Sequence, residues 1–278
     1  MLTEFNLDTP RGVLNVAQGP PNGPLLLLLH GFTNRWQTFL PVLPALTGSW
    51  QVLAFDHRGH GRSARITGGY TAAGFFQDAE AVLAYCQPGP VTLLGHSMGG
   101  SMALQLAQAH PEKVRAVVTG DTSLNLPIHI QVMNNRRNTR LFGLRRKLAG
   151  RPLDELLRRG LPPEQAEELS MLDPHVMDHH AEGRVEEFFA GVQDVDYNRL
   201  RCPVFLTQAN PAKGGLLQDA ELPDVLSAHP EFHFQRFDCA HDLEIERGLR
   251  SPFFQAVLAF LAGLQGRAGN DAQRHAPQ

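Results

Sequence analysis

The six residues Gly95-His96-Ser97-Met98-Gly99-Gly100 constrain the fold more than any other part of the chain. They follow a short apolar run at 91–94 and precede a second apolar stretch, Met102 to Ala109, whose spacing suits a helix. A strand-to-helix turn this tight forces the central serine into a strained backbone conformation. Glycines flank it because Cβ atoms there would collide with the adjoining strand and helix. The hydroxyl of Ser97 is thereby lifted to the rim of a sheet. A GxSxG pattern is weak by itself, since glycine and serine are common, and it gains meaning only between a strand and a helix. So placed, Ser97 is expected to be a nucleophile, and a serine needs a base within hydrogen-bond reach.

The rest of the chain supplies the sheet that such a turn requires. Residues 4–7 and 13–17 read as a hairpin-like pair around Asp8-Thr9-Pro10-Arg11-Gly12. Further strands are expected at 25–29, 51–55, 91–94, 114–119, 203–208 and 232–237, each a short apolar run, with helical patterns between them. Thr71 is placed to cap a helix carrying Phe75, Ala79, Val82, Leu83 and Cys86, and Ser251-Pro252 to start the last one, which ends near Leu264. The alternation predicts an α/β fold with a mostly parallel central sheet and helices on both faces. Residues 122–200 break it: helical patterns punctuated by Gly143, Gly150, Gly160, Pro162-Pro163 and Pro174, and no convincing strand. The expected organisation is a core at 1–121 and 201–265, a helical lid at 122–200 over the C-terminal edge of the sheet, and a disordered polar tail at 266–278.

Charge and cysteine content narrow the partners. A formal net charge of −3 and a pI near 6.5 give no electrostatic reason to expect nucleic acid or an anionic membrane, so a small-molecule substrate is expected. Cys86, Cys202 and Cys239 are odd in number and widely spaced, which suggests neither a disulfide framework nor a zinc site. No signal peptide is visible at the N-terminus, and the leucine run at 25–29 is too short to span a bilayer, so a cytoplasmic protein without membrane insertion is expected. His175, Asp178, His179 and His180 have the spacing of ligands on one helix face but lack an identifiable further ligand. No metal or other cofactor is expected. The basic run Arg136, Arg137, Arg140, Arg145, Arg146 and Lys147 reads as a solvated lid face; facing the pocket, it would favour an acidic substrate. Oligomeric state is not legible.

Three motifs in order, Leu27-Leu28-Leu29-His30-Gly31-Phe32, Asp56-His57-Arg58-Gly59-His60-Gly61-Arg62-Ser63 and Gly95-His96-Ser97-Met98-Gly99-Gly100, resemble signatures of the α/β-hydrolase fold family. The resemblance extends through His241 to the final helix and leaves out the lid region and the tail. It implies that the backbone N–H groups of Phe32 and Met98 form an oxyanion hole, and that the motif at 56–63 is structural. It also implies that His241, in the loop Asp238-Cys239-Ala240-His241-Asp242 after the last strand, is the base.

The acid departs from the usual pattern. The family commonly supplies one after the strand at 203–208, but Ala209-Asn210-Pro211-Ala212-Lys213-Gly214-Gly215 follow, and the next carboxylate, Asp219, reads as a helix cap. Some members place the acid one strand earlier, where Asp121 stands. Asp121 is therefore expected to fix the tautomer of His241, with capping of the first lid helix as the competing role and Asn210 as a weaker orienting group. The expected activity is acyl-enzyme hydrolysis of a carboxylic ester. Serine in place of aspartate at the turn argues against haloalkane dehalogenase or epoxide hydrolase chemistry. The alternatives are hydrolysis of a carbon–carbon bond beside a ketone, and a ligand-binding receptor or regulator with little turnover.

Overall fold

Leucine at all five positions of the run at 25–29 is what a strand covered on both faces requires, because alternate side chains point to opposite sides. In the computed structural model, which describes residues 2–86 and 89–274, this run is one of eight strands in a single sheet. In chain order they are β1 (Thr3–Thr9), β2 (Gly12–Gln18), β3 (Leu25–Leu29), β4 (Gln51–Phe55), β5 (Val91–His96), β6 (Val114–Gly120), β7 (Val204–Ala209) and β8 (His233–Phe237). The spatial order is β1-β2-β4-β3-β5-β6-β7-β8. The pairs β1–β2 and β2–β4 are antiparallel, and every other pair is parallel.

The two faces bury different sets of side chains. Leu27 and Leu29 pack on one side with Leu53, Phe55 and Leu93, beneath helices α2 (Ala72–Tyr85) and α3 (Met98–Ala109). Leu26 and Leu28 pack on the other with Val52, Ala54 and Leu94. That side is covered by α1 (Leu43–Leu46) and the final helix, through Phe253, Phe254, Val257 and Leu261. Each fully buried leucine contributes roughly 1.5–3 kcal/mol to this two-sided core. Thr71 caps α2, its Oγ1 accepting from the Gly74 amide at 3.2 Å.

Between β6 and β7 the described residues contain helices and no strand: α4 (Leu126–Met133), α5 (Arg136–Leu148), α6 (Leu153–Arg158), α7 (Pro163–Ser170), α8 (Asp178–Ala181) and α9 (Val185–Phe188). Helix α10 (Leu222–Ala228) joins β7 to β8, and α11 (Pro252–Arg274) ends the described chain. Two sequence expectations change here. Ser251 stands at the N-cap position of α11, its carbonyl accepting from the Gln255 amide at 3.1 Å, but its hydroxyl donates to the Leu243 carbonyl at 2.8 Å, tying the helix to the preceding loop. Helix α11 also passes Leu264, where the apolar period stops, and continues to Arg274 because no proline interrupts the backbone before Pro277. Residues 275–278 of the expected tail lie outside the described residues. No helix among the described residues is long and apolar enough to cross a membrane.

Candidate active site

Ser97 stands where β5 meets α3, with φ 54° and ψ −119°. Such a conformation costs a non-glycine residue roughly 1–3 kcal/mol and persists only where its surroundings impose it. The Ser97 amide donates to Gly120 O at 2.8 Å, and Ser97 O accepts from the Gly100 amide at 2.9 Å and from Thr122 Oγ1 at 2.8 Å. The flanking glycines make the turn sterically possible. A Cβ on Gly95 would lie 2.1 Å from Gly99 O, and one on Gly99 would lie 2.1 Å from Leu29 O.

The loop after β8 brings His241 to this hydroxyl. His241 Nε2 is 2.9 Å from Ser97 Oγ, and His241 Nδ1 is 2.6 Å from Asp121 Oδ2. Because a carboxylate only accepts, Nδ1 carries the proton and Nε2 presents a lone pair to the serine hydroxyl. The base loop is fastened by the neighbour of the nucleophile: His96 Nε2 is 2.8 Å from the His241 carbonyl. Burial holds the His96 imidazole at about 4, so it is neutral and able to donate from that one nitrogen.

Asp121 ends β6 in a left-handed conformation, φ 46°, and is fully buried. It does not cap the following helix; Asn125 does, accepting from the Ile128 amide at 2.9 Å. The Asp121 carboxylate instead accepts from the amides of Ala209 at 3.0 Å, Leu216 at 2.7 Å and Leu217 at 3.3 Å. Ala209 ends β7, and Leu216 and Leu217 belong to the loop after it, the segment that lacks a carboxylate of its own. Burial pushes the Asp121 carboxyl up, but the hydrogen bond and charge of His241, with the Leu216 and Ala209 amides, outweigh it and hold the group below the ordinary carboxylate value.

The other two acid candidates point elsewhere. Asn210 Nδ2 donates to Asp238 at 2.7 Å, and Asp219 accepts from Gln208 Nε2 at 2.8 Å and pairs with Arg236 at 3.1 Å. Asp219 therefore does not cap the next helical turn; the Glu221 carboxylate accepts from the Gln218 amide at 2.8 Å there instead.

Met98 follows the serine directly, and Phe32 lies in the loop after β3. Met98 opens α3, so its N–H has no acceptor within the helix. Among the described residues the Phe32 N–H donates to no backbone acceptor either. The loop carrying Phe32 runs against the nucleophile: a Cβ on Gly31 would lie 3.3 Å from Ser97 Cβ. Behind it sits a buried histidine cluster. His30 Nδ1 bonds Gly31 O at 2.8 Å and its Nε2 accepts from the His57 amide at 3.0 Å. His60 Nδ1 bonds Arg58 O at 2.9 Å. Burial depresses His30 to about 4 and His60 to about 3, so both rings are neutral spacers holding the loop.

The helices between β6 and β7 cover the Phe32 ring. Phe142, His180 and Phe188 approach it with ring centroids 5.7, 4.5 and 5.5 Å away. Of the histidines considered as ligands, His175 pairs with Asp178 at 2.9 Å and His180 is buried among these rings. Among the described residues no group of three or more His, Cys, Asp or Glu is arranged to hold a metal ion. Along α5, Arg136, Arg137, Arg140 and Lys147 are exposed and Arg146 pairs with Asp178 and Glu182. Arg145 departs from that face and donates to Thr33 Oγ1 at 2.9 Å.

Comparison with known proteins gives a family model described as alpha/beta hydrolase fold, matching residues 24–176, more than half of the chain. A protein of Danio rerio named serine hydrolase-like protein is 34% identical over 134 residues, 47% of this chain and 41% of that one. Epoxide hydrolase B of Mycobacterium tuberculosis is 36% identical over 108 residues, 37% of this chain and 30% of that one. The matches to these curated relatives thus span well under half of their length. The crystal structure of E-2-(acetamidomethylene)succinate hydrolase superposes with a TM-score of 0.69 at 20% identity, covering 94% of this chain and all of that one, a likeness of fold.

Proposed function

The chain belongs to the α/β-hydrolase fold family, and from that premise we propose that it is a serine hydrolase acting on a small-molecule carboxylic ester through an acyl-enzyme. One observation carries this reading: the unbroken hydrogen-bond line from Asp121 through His241 to Ser97, with spans of 2.6 and 2.9 Å. As Ser97 Oγ attacks the ester carbon, His241 Nε2 takes its proton. The carbonyl oxygen gains negative charge and meets the amides of Phe32 and Met98, each worth a few kcal/mol of transition-state stabilisation. The proton on Nε2 then passes to the departing alcohol oxygen, leaving the acyl group on Ser97. Water repeats the sequence: His241 takes its proton, the acid forms, and Ser97 leaves with the proton restored. Asp121 remains ionised throughout, fixing the Nδ1–H tautomer and stabilising the imidazolium.

The helices α4–α9, of which α5, α8 and α9 pack on Phe32, are read as a lid that shapes the substrate pocket. The carboxylate missing after β7, which suggests a binding protein rather than an enzyme, has a substitute in Asp121. The test is turnover of p-nitrophenyl esters of graded acyl length by the wild type and by Ser97→Ala. Many turnovers per enzyme are expected, falling by on the order of 10³-fold or more in the variant. A burst of one equivalent without turnover, or turnover that survives in Ser97→Ala, contradicts the proposal.

A further inference from the structure

We propose that Arg145 and Glu168 are positioning residues for the turn Gly31–Asn34: reaching from α5 and α7, they hold Thr33 in a left-handed conformation that keeps the Phe32 amide directed at the acyl oxygen. This rests on the acyl-transfer reading above and assigns a task to two side chains outside the nucleophile, base, acid and oxyanion amides.

The turn is closed by the Asn34 amide on Gly31 O at 3.1 Å, which makes Thr33 its third residue. Thr33 has φ 74° and is 3% exposed. Glycine is the ordinary occupant of such a position, and a β-branched side chain is strained there. Something must therefore keep it from relaxing. Hydrogen bonds to the turn and its flank from three sides do so. From the core, His60 Nε2 accepts the Thr33 amide at 3.3 Å, which requires the neutral ring that burial enforces. From α5, Arg145 donates to Thr33 Oγ1 at 2.9 Å. From α7, Glu168 Oε1 accepts from Asn34 Nδ2 at 2.7 Å and from Thr38 Oγ1 at 3.3 Å.

Two neighbouring contacts extend the same seam. Arg35 pairs with Glu167 and approaches Met171 Sδ at 3.4 Å. The Phe32 ring is itself held by Phe142 of α5, His180 of α8 and Phe188 of α9. Thus the residue offering the oxyanion amide is gripped through its side chain, and the strained residue after it is gripped through its hydroxyl, both by the helices between β6 and β7. Unseating those helices releases the turn, and the amide loses its direction before Ser97, His241 or Asp121 is touched. Seating of the lid and competence of the oxyanion hole are on this account one event.

The experiment compares wild type, Arg145→Met, Arg145→Lys, Glu168→Ala and Glu168→Gln, each with and without Thr33→Gly. Lysine keeps a donor and glutamine keeps an acceptor, so those variants serve as conservative rescues. The readouts are kcat and KM on a p-nitrophenyl ester, melting temperature, and deuterium uptake of the segment 31–35 in the unliganded protein. Arg145→Met and Glu168→Ala are expected to lose about 10- to 100-fold in kcat, part of the effect of an absent oxyanion donor, with KM within about threefold. Uptake at 31–35 should quicken by about tenfold while β5 and α3 are unchanged. Arg145→Lys and Glu168→Gln should recover most of the rate. So should Thr33→Gly in the Arg145→Met background, because glycine holds the turn without a clamp. Wild-type uptake at 31–35 in Arg145→Met and Glu168→Ala overturns the inference. A loss confined to KM, or no recovery of kcat with Thr33→Gly, overturns it equally. If the wild type itself fails to turn over the ester, the acyl-transfer reading falls, and the exchange comparison still decides whether these side chains order the turn.

Discussion

Asp121→Asn should slow ester turnover by about 10⁴ while leaving the chain folded. The structure indicates why so small a change acts so strongly. The carboxylate receives four donors: the amides of Ala209, Leu216 and Leu217, and His241 Nδ1. Asparagine offers one acceptor oxygen and one NH₂ group. Its oxygen can replace Oδ1, which serves Ala209 and Leu217, but the NH₂ then stands where Oδ2 meets Leu216 N–H and His241 Nδ1–H. Donor would face donor. The histidine escapes by moving its proton to Nε2, so Nδ1 accepts from the asparagine and Nε2 no longer accepts the serine proton. A 10⁴ loss corresponds to about 5.5 kcal/mol of transition-state stabilisation. The Leu216 amide has no such escape, and leaving it unpaired costs roughly 1–3 kcal/mol, within the 5–15 kcal/mol margin of an ordinary domain. Steady-state kcat, a thermal melt and the parallel variant Asp219→Asn test this. Asp121→Asn retaining kcat within about tenfold of wild type, or Asp219→Asn losing as much, would mean that Asp121 is not the orienting acid.

Gly99→Ala places a methyl 2.1 Å from the Leu29 carbonyl, so backbone must move; a loss of roughly 1–3 kcal/mol in denaturation and about 10²-fold in kcat is expected as the Met98 amide shifts. An alanine variant with wild-type kcat would show that the turn tolerates a Cβ. Stability should also fall with acidification. Burial holds His30 and His96 at about 4, against 6.5 for a free imidazole. The unfolded chain therefore binds more protons than the folded one between those values, and stability declines as pH drops through that window. At pH 5 the difference is about 2 kcal/mol for each ring, and His60, held lower still, acts in the same direction, so denaturant titrations should show stability lower at pH 5 than at pH 7.5 by at least about 4 kcal/mol. A difference under about 1 kcal/mol would mean that these rings are not held neutral.

What the sequence made legible follows from how local each signal is. The strands appear as short apolar runs, and Leu26 to Leu29 alternate between two cores as a doubly covered strand must. The turn around Ser97 is readable because glycine is compulsory at Gly95 and Gly99, and the structure shows the backbone that a Cβ would strike. Capping is less legible. Ser251 and Asp219 have the right side chains in the right local places, yet tertiary partners claim them, the Leu243 carbonyl for one and Gln208 with Arg236 for the other. The sequence around Asp121 fits both capping and catalysis, because the amides that decide between them, at the end of β7 and in the loop after it, are 88 to 96 residues away. Arg145 and Glu168 left no local signal at all. Their partners Thr33 and Asn34 are separated from them by 112 and 134 residues, and Arg145 sits in a run of bases that otherwise faces solvent. A negative φ would be the ordinary assumption for Thr33, so its strain is invisible without coordinates.

On the proposed mechanism the Ser97 hydroxyl, activated by His241, attacks electrophilic carbonyl-like centres. Treating the folded protein with a fluorophosphonate and mapping the adduct by mass spectrometry tests it most directly. One equivalent on Ser97 is predicted, with the rate of labelling collapsing in His241→Gln. An adduct on another residue, or none on folded protein, would mean that Ser97 is not the nucleophile.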